Sequence, residues 1–178
     1  MSSSDEFARE LFEDAKHSLK QAAATSGSAE QRHLRHATLS AFSFLELQID
    51  LIAQHFRDSD FFTLHERALI TQKDIVFDRG VFKIKDRNRF TRLDERMLLL
   101  QNKFKGSKLT ERSWWEPLRQ GTERRNTIAH PRGPISLDAT VVEADLNAVL
   151  RCASDLFEIV FGKRLPYESL GLKPKVSK

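Results

Sequence analysis

The feature that most constrains this chain is a long apolar stripe running to about residue 56. Leu34, Ala37, Ala41, Phe42, Leu45, Ile49, Ile52 and Phe56 recur mostly at steps of three and four, and no Pro or Gly interrupts them. That spacing keeps one face of an α-helix apolar over many turns. A helix so striped cannot bury its face alone, so it must serve as the spine of a bundle. Its start is read at Ser28, with Gln31 placed to complete a capping box. Upstream, Ser4 precedes an acidic turn, and Phe7, Leu11, Ala15 and Leu19 recur every four residues, predicting a helix over about 5–24. Thr25-Ser26-Gly27 breaks the two. Long helices joined by a turn this short are antiparallel neighbours.

Downstream the pattern changes. Leu64 to Ile70 reads as a short helix. Ile75-Val76-Phe77 and Val81-Phe82-Lys83-Ile84 flank Asp78-Arg79-Gly80, which suits a small hairpin or, as the competing reading, a basic loop. A helix over about 92–104 follows, capped by Thr91, with Leu93, Met97, Leu100 and Phe104 inward and Gly106-Ser107 after it. The next starts near Ser113, with Glu116 three residues on and Pro117 inside its first turn. The last runs from about Leu137 to Phe161, capped by Ser136 and stopped by Gly162, with Val141, Leu146, Val149, Cys152, Leu156 and Ile159 inward. The expected architecture is all-α: an antiparallel helical bundle with a small inserted excursion at about 58–90. A single domain spans 1–162, and 163–178 is a loosely held basic tail containing Pro166 and Pro174.

At 178 residues the chain can bury a core of ordinary size, and its 40% apolar and 30% charged content suits a globular domain. No run approaches the roughly 18 apolar residues of a membrane span, so no membrane partner is expected. The polar, acidic start is unlike a secretory signal. Cys152 is the sole cysteine, lies in an apolar pattern and reads as a small core residue. These features suit a cytoplasmic location. The net charge of +4 resides in the tail, where Lys163, Arg164, Lys173, Lys175 and Lys178 face only Glu168. Two other regions are locally basic: residues 79–92, and Arg119, Arg124, Arg125 and Arg132 around Glu123. Such patches attract a phosphate backbone, or are simply solvated faces.

One Cys and scattered His offer no zinc constellation. His33 and His36 sit beside Arg32 and Arg35 without a third ligand, and no cofactor is called for. No nucleophile turn for Ser-His-Asp chemistry is visible. The chemistry-bearing segment is instead Arg124-Arg125-Asn126-Thr127-Ile128-Ala129-His130-Pro131. Pro131 disfavours a helical conformation at His130, so the imidazole sits at the end of the helix. Arg125 and His130, five residues apart, lie about 140° apart around the helix and make an awkward pair within one chain. Asn126 and His130 are four apart and nearly aligned, so the amide could orient the ring. Trp114 and Trp115 point to different faces, and one of them belongs in the core.

This segment resembles the signature of the HEPN superfamily: Arg, often followed by Asn, then four to six residues and His. Arg124 and Arg125 both satisfy the spacing, and Asn126 favours Arg125. The Ala41-Phe42-Ser43-Phe44-Leu45-Glu46 stretch is similar to an aromatic-Leu-Glu pattern common in the family. The sharp likeness covers about ten residues; the architecture covers most of the chain. The resemblance implies a dimeric, metal-independent endoribonuclease acting as a toxin or in defence, with RNA as substrate and a cognate antitoxin or regulatory protein as a further partner. Arg125, Asn126 and His130 would be catalytic, with Arg124 and Glu46 in support and Arg119 and Arg132 binding substrate. Glu46 has a plainer reading as a carboxylate at the bundle edge. Some toxins of this family are silenced by modification of a Tyr two residues after the His. Arg132 holds that position here, and the only tyrosine is Tyr167, which argues against such control. Two other functions remain open: a non-catalytic module of the same fold that binds RNA or protein, and a subunit packing against a nucleotide-handling enzyme.

Overall fold

A computed structural model describes residues 3–56, 60–89, 91–106, 108–165 and 168–173, without the side chains of residues 3, 4 and 170. Among these residues six α-helices and one two-stranded sheet follow in the order α1 (Ser3–Ala23), α2 (Gly27–His55), α3 (Leu64–Ile70), β1 (Lys73–Asp78), β2 (Val81–Asn88), α4 (Leu93–Lys103), α5 (Trp115–Ala129) and α6 (Ala139–Phe161). The protein is thus mostly helical. The expected all-α class needs one amendment, because the excursion contains a real antiparallel hairpin. No helix among the described residues is long and apolar enough to cross a membrane.

The stripe that announced α2 is the spine of the core. Leu34, Ala37, Ala41, Phe42, Leu45, Ile49 and Ile52 are all buried, and Phe56 is half-buried. α1 packs along α2, with Phe12 and Phe44 ring centroids 4.8 Å apart, while α6 and α5 close the other side. Pro117 falls inside the first turn of α5, where its missing N–H costs nothing.

Several expectations are corrected by packing. On α1 the buried residues are Ala8, Phe12, Ala15 and Ala22, whereas Phe7 is 54% exposed and Leu11 and Leu19 are only half-buried. The alanines let α1 lie close to α2, and that proximity outweighs the larger side chains of the alternative stripe. Ser4 is already helical in backbone, and its side chain lies outside the described residues. Ser28 does not cap α2: Ser26 holds the N-cap position, and Gln31 instead clamps the Leu137 backbone, donating to its carbonyl (2.9 Å) and accepting from its N–H (2.7 Å). On α4, Thr91 is buried and Arg92 occupies the cap, its N–H donating to Glu95. The α4 helix ends at Lys103, and Lys105 takes the left-handed φ of 51°; Ser107 lies outside the described residues. On α6 the cap is Asp138, which accepts from the N–H groups of Thr140 and Val141, and not Ser136. Val142 is buried there in place of the exposed Val141, and Ile159 is only half-buried.

The excursion follows the sequence closely. Thr63 and Glu66 form a reciprocal capping box that starts α3. Arg79 and Gly80 both have positive φ (49° and 85°), the mark of a two-residue type I′ hairpin turn. The register pairs Phe77 with Phe82 and Ile75 with Ile84 on one face. Gly162 ends α6 in the left-handed conformation (φ 69°). Part of the tail is docked: Leu165 is buried, Glu168 accepts from Ser154 (2.6 Å), and the Lys173 carbonyl accepts from the buried Lys16 (3.2 Å). Pro166, Tyr167, Pro174, Lys175 and Lys178 lie outside the described residues.

Candidate functional site

α5 sorts its polar residues by helical angle. Leu118 and Gly121 anchor it, and each leads along the helix to one of the two arginines. Arg124 lies three residues beyond Gly121 and faces α6. Arg125 lies seven beyond Leu118 and faces α2. Adjacent residues differ by about 100° around a helix, so the two guanidinium groups reach different partners.

Arg124 is held from two sides by Asp145, a fully buried carboxylate on α6. Its Nε donates to Oδ2 at 2.8 Å and its Nη2 donates to Oδ1. Burial pushes the Asp145 carboxyl above its ordinary range, and the Arg124 bonds pull against that rise. The same bonds hold Arg124 above its ordinary value. Gly121 makes room for this pair: a Cβ there would stand 2.9 Å from Asp145 Oδ1 and 3.0 Å from the Phe42 ring.

Arg125 donates from Nη2 to Glu46 Oε1 at 2.5 Å and from Nη1 to Asn126 Oδ1 at 3.0 Å. Glu46 is half-buried, and desolvation raises its pKa despite the opposing charges of Arg125 and Arg96. These three residues line a cleft of about 560 Å³ between α2, α4 and α5. Its other walls include Trp115, Thr91 and Arg96. Trp115 is half-buried while Trp114 is core, its indole N–H donating to Asp155 at 2.8 Å. Arg96 was not expected here. It is buried, donating from Nε to the Ile70 carbonyl at 3.1 Å and from Nη2 to Asp50.

His130 terminates α5 (φ −129°, ψ 65°), and its N–H donates to the Asn126 carbonyl at 2.9 Å. The residue is exposed, its ring has no partner among the described residues, and it does not line the cleft. Asn126 is within reach of Arg125 rather than of the imidazole, so its side chain orients the guanidinium in this structure. Arg119 lines the cleft but is shared by Glu116 and Glu123 at 2.8 Å each. Its hydrogen bonds hold the Glu116 carboxyl down at about 2. Arg132 is exposed and has no partner among the described residues.

The arrangement therefore brings Glu46, Arg125, Asn126 and Arg119 to one cleft, leaves His130 and Arg132 free at the helix tip, and assigns Arg124 to the bundle. Sequence reasoning missed Asp145 and Arg96, and read Thr91 only as a helix cap. The first had a signal: it is the lone carboxylate at an inward position between Val142 and Leu146. Within one copy the site has a cation site and an imidazole that do not converge. It can hold an anion at Arg125 once Glu46 yields, and it can exchange a proton at His130, but not on the same atom. No family model matches this chain, and neither curated proteins nor solved structures provide a match.

Proposed function

We propose that this protein is a metal-independent endoribonuclease of the HEPN type whose active centre is completed by a second copy, acting as a toxin or in defence. What supports the reading is the division of labour at the end of α5. Arg124 is consumed by a buried carboxylate, while Arg125 faces a cleft and His130 stands free at the tip. A free imidazole without structural work is available for proton transfer. One such ring serves as base or acid at a given moment, and a two-fold axis, the commonest oligomer symmetry, supplies both.

In this mechanism the 2′-hydroxyl oxygen attacks the adjacent phosphorus while His130 of one copy takes its proton. The bond from phosphorus to the 5′-oxygen breaks, and the second copy's His130 protonates the departing oxygen. Two Arg125 side chains offset the charge that builds on the phosphoryl oxygens. The products are a 2′,3′-cyclic phosphate and a 5′-hydroxyl. RNA incubated with purified protein in EDTA should be cut with those ends, and His130→Ala should abolish cutting. Cutting that persists in the variant removes His130 from the mechanism.

A second reading draws on the Glu46–Arg125 pair, which already neutralises the cation expected to bind phosphate. Under it the protein is a non-catalytic module binding RNA or a protein partner. Expression in a host separates the two: growth arrest relieved by His130→Ala belongs to the nuclease alone.

A further inference from the structure

The hairpin β1–β2 carries surface that the bundle does not use. Phe77 and Phe82 face each other across the strands with ring centroids 5.0 Å apart, yet they are 66% and 59% exposed. Val81 beside them is 51% exposed. A cross-strand aromatic pair helps a two-stranded hairpin hold together, but that purpose does not require two largely bare ring faces at the tip. The charges point the same way. Each hairpin aspartate is matched, Asp74 with Arg87, Asp78 with Lys83 and Asp86 with Lys73. Arg79, Lys85 and Arg89 have no carboxylate partner among the described residues. The net positive charge of residues 73–89 is therefore held by three free cations at the turn, along β2 and at its base. At that base, Lys73 and Arg89 line a second groove of about 630 Å³. Gln72 borders both this groove and the Arg125 cleft, so the two are neighbours along one surface.

We propose that the hairpin is an arm that holds single-stranded RNA. Phe77 and Phe82 stack on unpaired bases, and Arg79, Lys85 and Arg89 take the phosphates of the same strand. Aromatic rings interleaved with cations bind single strands in this way without reading sequence, because every base presents a π-face. The rings lie on one face of the hairpin and Lys85 on the other, so the strand crosses the tip and turns along the groove beside Arg89 toward Gln72. The proposal rests on the ribonuclease reading only for the choice of RNA as the strand.

The test uses the full chain and a fluorescein-labelled single-stranded 2′-O-methyl RNA, which lacks the attacking hydroxyl and cannot be cut by the proposed route. Fluorescence anisotropy gives the affinity. Phe77→Val with Phe82→Val keeps a β-branched pair in register and should weaken binding on the order of tenfold or more. Phe77→Tyr with Phe82→Tyr keeps both rings and should bind as the parent does. Arg79→Gln, Lys85→Gln and Arg89→Gln together should flatten the slope of log affinity against log salt by about 2, from roughly 0.7 per neutralised phosphate. Parent-like affinity in the Val pair, or a Tyr pair as weak as the Val pair, overturns stacking. An unchanged salt slope overturns the phosphate contacts. A Val pair that alters the oligomeric mass in light scattering, or that loses binding to anionic lipid vesicles while keeping RNA, overturns the arm in favour of a protein or membrane contact. The uncleavable strand keeps this outcome separate from catalysis: a parent protein that leaves ordinary RNA uncut sinks the nuclease reading, while anisotropy on the uncleavable strand still decides the arm.

Discussion

Replacing Arg124 and Arg125 singly by Ala should produce opposite phenotypes, although the residues are chain neighbours. Arg124→Ala leaves Asp145, which has no solvent exposure, without its counter-charge. Breaking a buried pair from one side costs about 3–5 kcal/mol, and for a chain of this size each kcal/mol lowers Tm by about 2–4 °C. The expected drop is therefore roughly 6–20 °C. Arg125→Ala removes a partner from Glu46, whose side chain is 36% exposed and can take water or a proton. That loss is about 1 kcal/mol or less, while RNA cleavage should fall by two orders of magnitude or more, as when a transition-state donor is deleted. The Arg124→Ala deficit also depends on pH with a definite sign. Burial raises the folded-state pKa of Asp145, and losing Arg124 removes the two influences that lower it. A raised pKa contributes stability that is present below the ordinary carboxylate value and lost as pH rises through the folded value. The variant should thus melt closest to the parent in mild acid and furthest from it at neutral pH. Circular-dichroism melts at both pH values, with cleavage measured on the same preparations, decide the matter. Equal melting losses for the two variants, or an Arg124→Ala deficit that shrinks toward neutrality, refutes the assignment of roles.

Three further outcomes follow from particular contacts. Gly121→Ala gains about 1 kcal/mol of helix propensity but drives a methyl against Asp145 and Phe42; a net loss of roughly 1–2 kcal/mol in chemical denaturation is expected, and a stabilised variant would show that α5 and α6 are not in close approach. Glu46→Gln removes an ionisation that burial disfavours. The stability gained by the parent as pH falls toward the ordinary carboxylate range should diminish in this variant, and RNA affinity at neutral pH should rise because Arg125 is no longer shared; weaker binding would mean that Glu46 itself contacts the RNA. Arg96→Ala empties a buried site and deprives the Ile70 carbonyl of its donor, and Asp50→Asn leaves the buried Arg96 guanidinium without its counter-charge, so each should cost about 3 kcal/mol or more; a parent-like melt for Asp50→Asn would contradict the burial of Arg96.

Some local signals read true and others did not: the caps expected at Ser28, Thr91 and Ser136 fall instead at Ser26, Arg92 and Asp138. The α2 stripe, the bounds of α3, the turn at Arg79-Gly80, the C-cap at Gly162 and the displacement of His130 by Pro131 each depend on residues within a few positions of one another. Those are properties of backbone sterics and hydrogen bonding, and the order of residues suffices to fix them. The facing of each element is different. On α1 two stripes had the right period, and contact with α2 selected the alanine-rich one. On α5 Asn126 favours Arg125 as the motif residue, but nothing local fixes which partner each arginine meets, since one residue of offset is a rotation of about 100°. Which guanidinium is spent on the bundle and which faces the cleft depends on Asp145 and Glu46, 21 and 79 residues away along the chain. Periodicity specifies that a face exists, whereas the direction it points is set by packing against distant elements.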